Sequence, residues 1–214
     1  ELIPALERAL HECGATFKLV LTAGQGDATR LVRDALRRGA AGVAVVGGDG
    51  TMNEGINGFF DETGLCIAPS AWFAPLPCGT GGDFRRTLGL SNEVPVMVTH
   101  MMWSKPRPVD VGWLEFHGND GQTTHRAFIN IASFGLGGLV DRLVNQGPKW
   151  VGGKAAFLMA ALRAAASYES RHVRLRVDDA EPVELDVINV AVANGQYFGG
   201  GMHIAPCARV DDGI

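Results

Sequence analysis

Residues 42–47 read GVAVVG, six apolar residues without a break. A strand with one wet face alternates apolar and polar residues, so an unbroken run belongs to a strand covered on both faces, as in a parallel sheet. The flanking segments agree. From Asp27 to Arg38 the residues Leu31, Ala35 and Leu36 mark the apolar side of a helix. Asp27 is placed to cap it, Arg37 and Arg38 suit its C-terminal dipole, and Gly39 ends it. Met52, Ile56 and Phe59 give a later helix its inner face, and Leu2, Leu6 and Leu10 predict an opening helix that stops at Gly14. FKLVLT (Phe17 to Thr22) reads as a further strand, with AGQGD as the turn after it. Helix, strand, helix, strand, helix is the order of an α/β domain with a parallel sheet.

Around Pro95 to Pro108 the character changes. VDVGWLEF and HRAFINIASFG are strand-like and joined by the turn-rich HGNDGQ; RHVRLRV and VELDVINVAVA follow, separated by DDAEP. Helices are predicted across Leu139 to Asn145 and Lys154 to Tyr168. Strands joined by hairpins indicate a mainly antiparallel β domain with helices, and the boundary is set near Ser104, giving domains of 1–104 and 105–214. Both ends read as trimmed, since the chain opens inside a helical pattern and stops at RVDDGI, where a strand is expected to follow.

Composition narrows the function. A formal charge of −4 argues against a general nucleic-acid binder. The cysteines at 13, 66, 78 and 207 form no CxxC pair, which disfavours zinc and a disulfide framework and fits a reducing compartment. The longest apolar stretch, Ala155 to Leu162, is far short of the ~20 residues that span a bilayer. No signal peptide is visible, so the expectation is a cytoplasmic protein that at most touches a membrane.

The buried run ends in VVGGDGTMNEGING, more glycine than a turn needs. Glycines between a buried strand and a helix let backbone N–H groups approach an anion, and the helix adds its positive end. Gly47, Gly48 and Gly50 fit such a phosphate cradle, with Thr51 completing it. Asp49 is out of place beside phosphate unless a magnesium ion or an ordered water lies between them. A tight strand-to-helix turn with an acidic cap is the plainer reading. The design recurs in PCGTGGDFRRTLGL, where Gly79, Thr80, Gly81 and Gly82 precede Asp83 and a helix. GxxxxGK[ST] and a dinucleotide GxGxxG are both absent from the sequence.

GGDGTMNEGINGF followed by PLPCGTGGDFRRTLGL resembles the diacylglycerol kinase catalytic domain, in its bacterial lipid kinase branch, which is similar to sphingosine kinases. The similarity continues through RPVDVG (Arg107 to Gly112), FINIASFGLGG (Phe128 to Gly138), NGQYFGGGMHIAP (Asn194 to Pro206) and ARVDDGI (Ala208 to Ile214). GGDGT alone is shared with NAD kinases and phosphofructokinases; the ordered set is more specific.

This resemblance implies a lipid kinase that uses ATP and Mg2+ to phosphorylate the hydroxyl of a lipid, diacylglycerol or a sphingoid-like alcohol, from a peripheral position at the membrane. It implies ATP contacts along Gly47, Gly48, Asp49, Gly50, Thr51, Met52 and Asn53, with Thr22 and Thr80 adjoining. Asp49 and Asp83 would stand near the magnesium and its waters as catalytic residues. A structural metal would be held by the Asp212 carboxylate and the carbonyls of Arg209 and Ile214. The general base of the family belongs to a later DGE segment beyond Ile214, and an opening strand with a phosphate contact is expected before Glu1. The family pattern GTGND is GTGGD here, so Gly82 removes an amide side chain, and APSAWFAPLPC is longer than the usual approach. Two other functions share the fold: an NAD kinase-like enzyme with a soluble substrate, and a non-catalytic nucleotide sensor. Whether the protein forms a homodimer is open.

Arg30, Arg33 and Arg37 share one helical face and suit anionic headgroups, although Asp34 beside them favours a solvated face. KAAFLMAALRAAASY is apolar almost all round, which suits a core helix or the wall of an acyl pocket. NGQYFGGGMH is too rich in glycine for a plain hairpin. The six histidines show no metal-ligand spacing.

Overall fold

The structure is a computed structural model that describes residues 2–78, 81–118, 120–140 and 168–213. Two compact units are present, residues 1–130 with 194–214, and residues 131–193. The first unit begins with α1 (Leu2–Glu12), α2 (Asp27–Arg37), β1 (Gly42–Gly47), α3 (Asp49–Asn57), β2 (Trp72–Pro77), α4 (Asp83–Leu88) and α5 (Val94–Trp103), followed by β3 (Gly112–His117) and β4 (Thr123–Phe128). The second contains β5 (Ile131–Gly135), β6 (Arg171–Leu175), β7 (Val183–Val187) and β8 (Asn189–Ala193). The chain then returns to the first unit with the short β9 (Tyr197–Phe198) and β10 (Met202–His203).

β1 and β2 pair in parallel from Gly42↔Trp72 to Gly47↔Pro77. Alternation along them separates two cores. Val43, Val45 and Phe73 face α2 and α3, packing with Val32, Leu36, Met52, Ile56 and Phe59. Val46 and Leu76 face the other way, among Leu6, Leu10, Met97 and Val98 of α1 and α5. The inner face of α3 is as expected. On α2 the buried residues are Ala28, Val32 and Leu36, spaced by four, rather than Leu31 and Ala35. Gly58 sits so close to α2 that a Cβ there would meet Val32 at 2.7 Å and the Thr29 carbonyl at 2.8 Å.

Several local expectations are corrected. FKLVLT forms no ladder with any described strand: residues 15–20 are neither helix nor strand and alternate between half-buried and exposed, with Phe17 and Leu19 packed on the α1–α5 core. The alternation is that of a strand, but among the described residues β1 pairs with β2 alone. Asp27 does not cap α2. Gly26 holds the cap position, and the Asp27 carboxylate instead accepts the Ala23 N–H and pairs with Arg30. Arg33 leaves the solvated face, donating to the carbonyls of Asn57 and Phe60 at the end of α3.

The later strands are antiparallel throughout: β3 with β4, β9 with β10, and, in the second unit, β5 with β8 and β6 with β7. Two runs expected as single strands are each split. HRAFINIASFG divides at Ile129–Asn130 into β4 and β5, and VELDVINVAVA divides at Ile188 because β7 and β8 serve different partners. The helix α5, with Pro95 in its first turn where no N–H is needed, lies where the sequence showed only a change of character. The helix expected over Lys154 to Tyr168, apart from Tyr168 itself, and most of that over Leu139 to Asn145 lie outside the described residues.

Candidate active site

Parallel strands send their following loops out at the same edge. Gly47 and Pro77 are register partners at the carboxyl ends of β1 and β2, and the Cys78 N–H donates to the Gly47 carbonyl at 2.9 Å. The two glycine turns therefore leave the sheet side by side. The first is tight: a Cβ on Gly47 would meet the Thr51 Cβ at 2.8 Å. The N–H groups of Asp49, Gly50 and Thr51 open α3 and have no acceptor within the helix, which makes this end receptive to negative charge.

Asp49 joins the turns. Its Oδ2 accepts the Asp83 N–H and its Oδ1 the Phe84 N–H, both at 3.1 Å, so it caps α4 from the first residue of α3. Gly81 lies against it, with a built Cβ 3.1 Å from Oδ2. One carboxylate thus sits at two helix N-termini, a placement that offsets its repulsion toward other anions. Each carboxylate oxygen has further acceptor capacity after one hydrogen bond.

Asp83 is buried and committed elsewhere. Its Oδ1 pairs with Arg86 at 2.9 Å, and its Oδ2 accepts the Gly200 N–H at 2.8 Å. Arg86 also donates to the Gly81 carbonyl. The triple-glycine segment, left-handed at Gly199, Gly200 and Gly201, is thereby held on α4. Thr87 adds a second tie, its hydroxyl accepting the Gln196 N–H at 3.1 Å. Gly82, which opens α4, has φ 62° and ψ 41°. Among residues with a side chain asparagine tolerates that conformation best, which explains how Gly stands where the family pattern carries Asn.

The remaining expected contacts are distributed unevenly. The Met52 side chain is 2% exposed in the core, and its N–H donates to the Gly48 carbonyl. The Asn53 amide donates to the Ala127 carbonyl and accepts the Ile129 N–H, while Asn57 one turn later donates to the Ala127 carbonyl and accepts its N–H. Both asparagines stitch α3 to β4. Thr22 is exposed, in the irregular stretch before α2. Thr80, Gly79 and Ile214 lie outside the described residues.

The tail folds against Asp110, a residue the sequence reading did not single out. Its N–H donates to the Val210 carbonyl at 2.7 Å, and its Oδ2 accepts the Gly213 N–H at 2.8 Å. Buried Asn194 donates to the carbonyls of Asp110 and Ile129. The only sequence signals for these residues were the i, i+4 spacing of Asn53 and Asn57 and the asparagine before Gly195.

Among the described residues no group of three or more His, Cys, Asp or Glu side chains could hold a metal. The donors implied near the tail are of another kind, one Asp212 carboxylate with two backbone carbonyls, an all-oxygen set suited to a hard cation. Near the two glycine turns each oxygen of Asp49 and of Asp83 accepts one hydrogen bond; Asp83 is also buried and paired with Arg86, so the half-buried Asp49 is the better placed of the two for such an ion.

The profile described as diacylglycerol kinase catalytic domain matches residues 1–114, and that described as YegS C-terminal NAD kinase beta sandwich-like domain matches residues 130–214. A protein of Chromohalobacter salexigens named "Probable lipid kinase YegS-like" is 35% identical over 96% of the chain, and one of the same name from Pseudomonas aeruginosa is 32% identical over 100%. The chain spans 62% and 66% of the length of these relatives. The crystal structure of a diacylglycerol kinase from Bacillus anthracis superposes with a TM-score of 0.68 at 25% identity, covering 100% of this chain and 67% of that one. The chain belongs to the diacylglycerol kinase catalytic domain family.

Proposed function

We propose that the protein is a lipid kinase that transfers the γ-phosphoryl group of ATP to the hydroxyl of a lipid alcohol, with diacylglycerol as the acceptor and phosphatidic acid as the product. The observation that carries the reading is the Asp49 carboxylate shared by the two glycine turns at one sheet edge. Family membership and the lipid kinase names of the relatives support it. Residues 1–104 supply the nucleotide side and 105–214 the lipid side.

Phosphoryl transfer depends on positioning and on neutralising charge. Gly47, Gly48, Gly50 and Thr51 offer amides and a hydroxyl to the phosphates, with Thr80 on the second turn. Asp49 would hold Mg2+, whose charge offsets that of the polyphosphate. Asp83 keeps the second turn in place through Arg86 and Gly200. Asp212, with the carbonyls of Arg209 and Ile214, would hold a structural cation. The acceptor hydroxyl forms the new O–P bond, the bond to ADP breaks, and the hydroxyl proton passes to a base outside residues 1–214. The protein works at the cytoplasmic face of a membrane; no described helix is long and apolar enough to cross one.

The test is a radiolabelled ATP assay on the full-length protein with diacylglycerol, monoacylglycerol, ceramide, sphingosine and NAD, resolved by thin-layer chromatography. Label in phosphatidic acid, lost in Asp49→Asn with the fold intact, supports the proposal. Label in NAD alone, or full activity in Asp49→Asn, overturns it.

A further inference from the structure

Helix α5 buries one side and leaves another bare. Met97 and Val98 pack against Leu6 and Leu10, whereas Val96, His100 and Trp103, at spacings of four and three, line an open groove of about 460 Å³ on the outer side. Val96 is 48% exposed and Trp103 is 73% exposed, the most exposed of the large hydrophobic residues among those described. Trp103 and Val96 line the groove together with Pro95, and a contiguous apolar face of this kind marks a contact surface.

Through and just after the helix the sequence is basic, although the exposed Glu93 holds the cap position at its start. From Val94 to Val109 the sequence has no Asp or Glu, although the chain as a whole carries −4. Lys105 and Arg107 follow the helix, are exposed, and make no ion pair among the described residues. An indole beside two uncompensated cations matches the interface of an anionic bilayer, where the ring sits among headgroups and the cations meet lipid phosphates and carboxylates.

We propose that the outer face of α5, with Trp103 as its anchor and Lys105 and Arg107 as its charges, docks the protein on an anionic membrane surface. The proposal rests on the lipid kinase reading for its purpose, because an enzyme that acts on a membrane lipid must reach it, but its geometry is independent of the glycine turns.

The experiment is flotation of the full-length protein with phosphatidylcholine vesicles, with and without phosphatidylserine. Alongside it, kinase activity is measured on short-chain diacylglycerol dispersed in water. Parent protein should float with phosphatidylserine vesicles. K105Q/R107Q should weaken that binding about thirty-fold, since each basic residue is worth about a factor of five near such a surface. W103A should weaken it with or without phosphatidylserine. Both variants should keep the parent's thermal midpoint and its short-chain activity. Parent-like flotation of both variants overturns the proposal, as does a parent that ignores phosphatidylserine. A dimer in light scattering that W103A dissolves also overturns it, assigning the face to a second copy. Absence of short-chain activity in the parent counts against the lipid kinase reading alone, because flotation is scored separately.

Discussion

The Oδ2 atom of Asp49 accepts the backbone N–H of Asp83 at 3.1 Å, across 34 residues of chain. The acid of the first glycine turn is thus the cap of the helix that follows the second. Asp49→Ala should lower stability by about 1–2 kcal/mol, the usual effect of losing a helix cap. Asp49→Asn, which keeps one acceptor oxygen, should lose less. Urea unfolding with an unchanged slope measures both, and equal losses would show that the negative charge carries the cap.

Asn57 pairs both faces of its amide with the backbone of Ala127, which is itself fully buried. Asn57→Ala takes away the partner of that N–H and leaves the carbonyl with the Asn53 amide alone, and should cost about 1–3 kcal/mol. Hydrogen exchange at the Ala127 amide should accelerate more than at amides of β3. An unchanged Ala127 rate would show that β4 is held without α3.

Gly82 should discriminate among substitutions by backbone conformation. With φ at 62°, alanine should cost about 1–2 kcal/mol, whereas asparagine should cost less than about 1 kcal/mol. The nearest atom to a new Cβ is Arg85 Nε at 3.1 Å, the far end of a flexible side chain, so crowding is minor. Thermal unfolding of the two variants ranks them; equal midpoints would remove the backbone argument.

The Asp61 carboxyl is held below its ordinary value by the Thr63 hydroxyl and then by the Leu65 N–H, in the turn before Cys66. A lowered folded-state pKa means that the contribution is complete above the unfolded carboxylate value, about 3.9, and is lost as pH falls through the lower folded value. Thermal midpoints taken downward from pH 5 should therefore fall less steeply for Asp61→Asn than for the parent. Parallel curves would show that the turn does not distinguish the two protonation states.

What was legible in the sequence was local. The apolar run 42–47 and the spacing of Met52, Ile56 and Phe59 report their own surroundings: they form β1, the buried face of α3 and, with Phe59, the buried turn just after it. FKLVLT has the alternation of a strand, but a strand also requires a neighbour, which no local pattern encodes. VELDVINVAVA looks like one strand because its turn at Ile188 is apolar. In α5, VPVMVTHMMW is apolar on nearly every side, so periodicity gave no helical signal. The glycine turns could be found by composition. The partners of Asp49, Asn57 and Asn194 could not, since they lie 34, 70 and 84 residues away.

The joint around Gly195 has an evolutionary consequence. A Cβ at this position would collide with the Asn130 amide oxygen and stand 3.0 Å from the Thr87 hydroxyl, while the Asn130 carbonyl accepts the N–H groups of both Asn194 and Gly195. With Asp83, Arg86 and Gly200 clamped to the same short helix, these positions interlock like wards of one key. Drift at any one alone jams the fit, so lineages that diverge here must exchange several residues together or none.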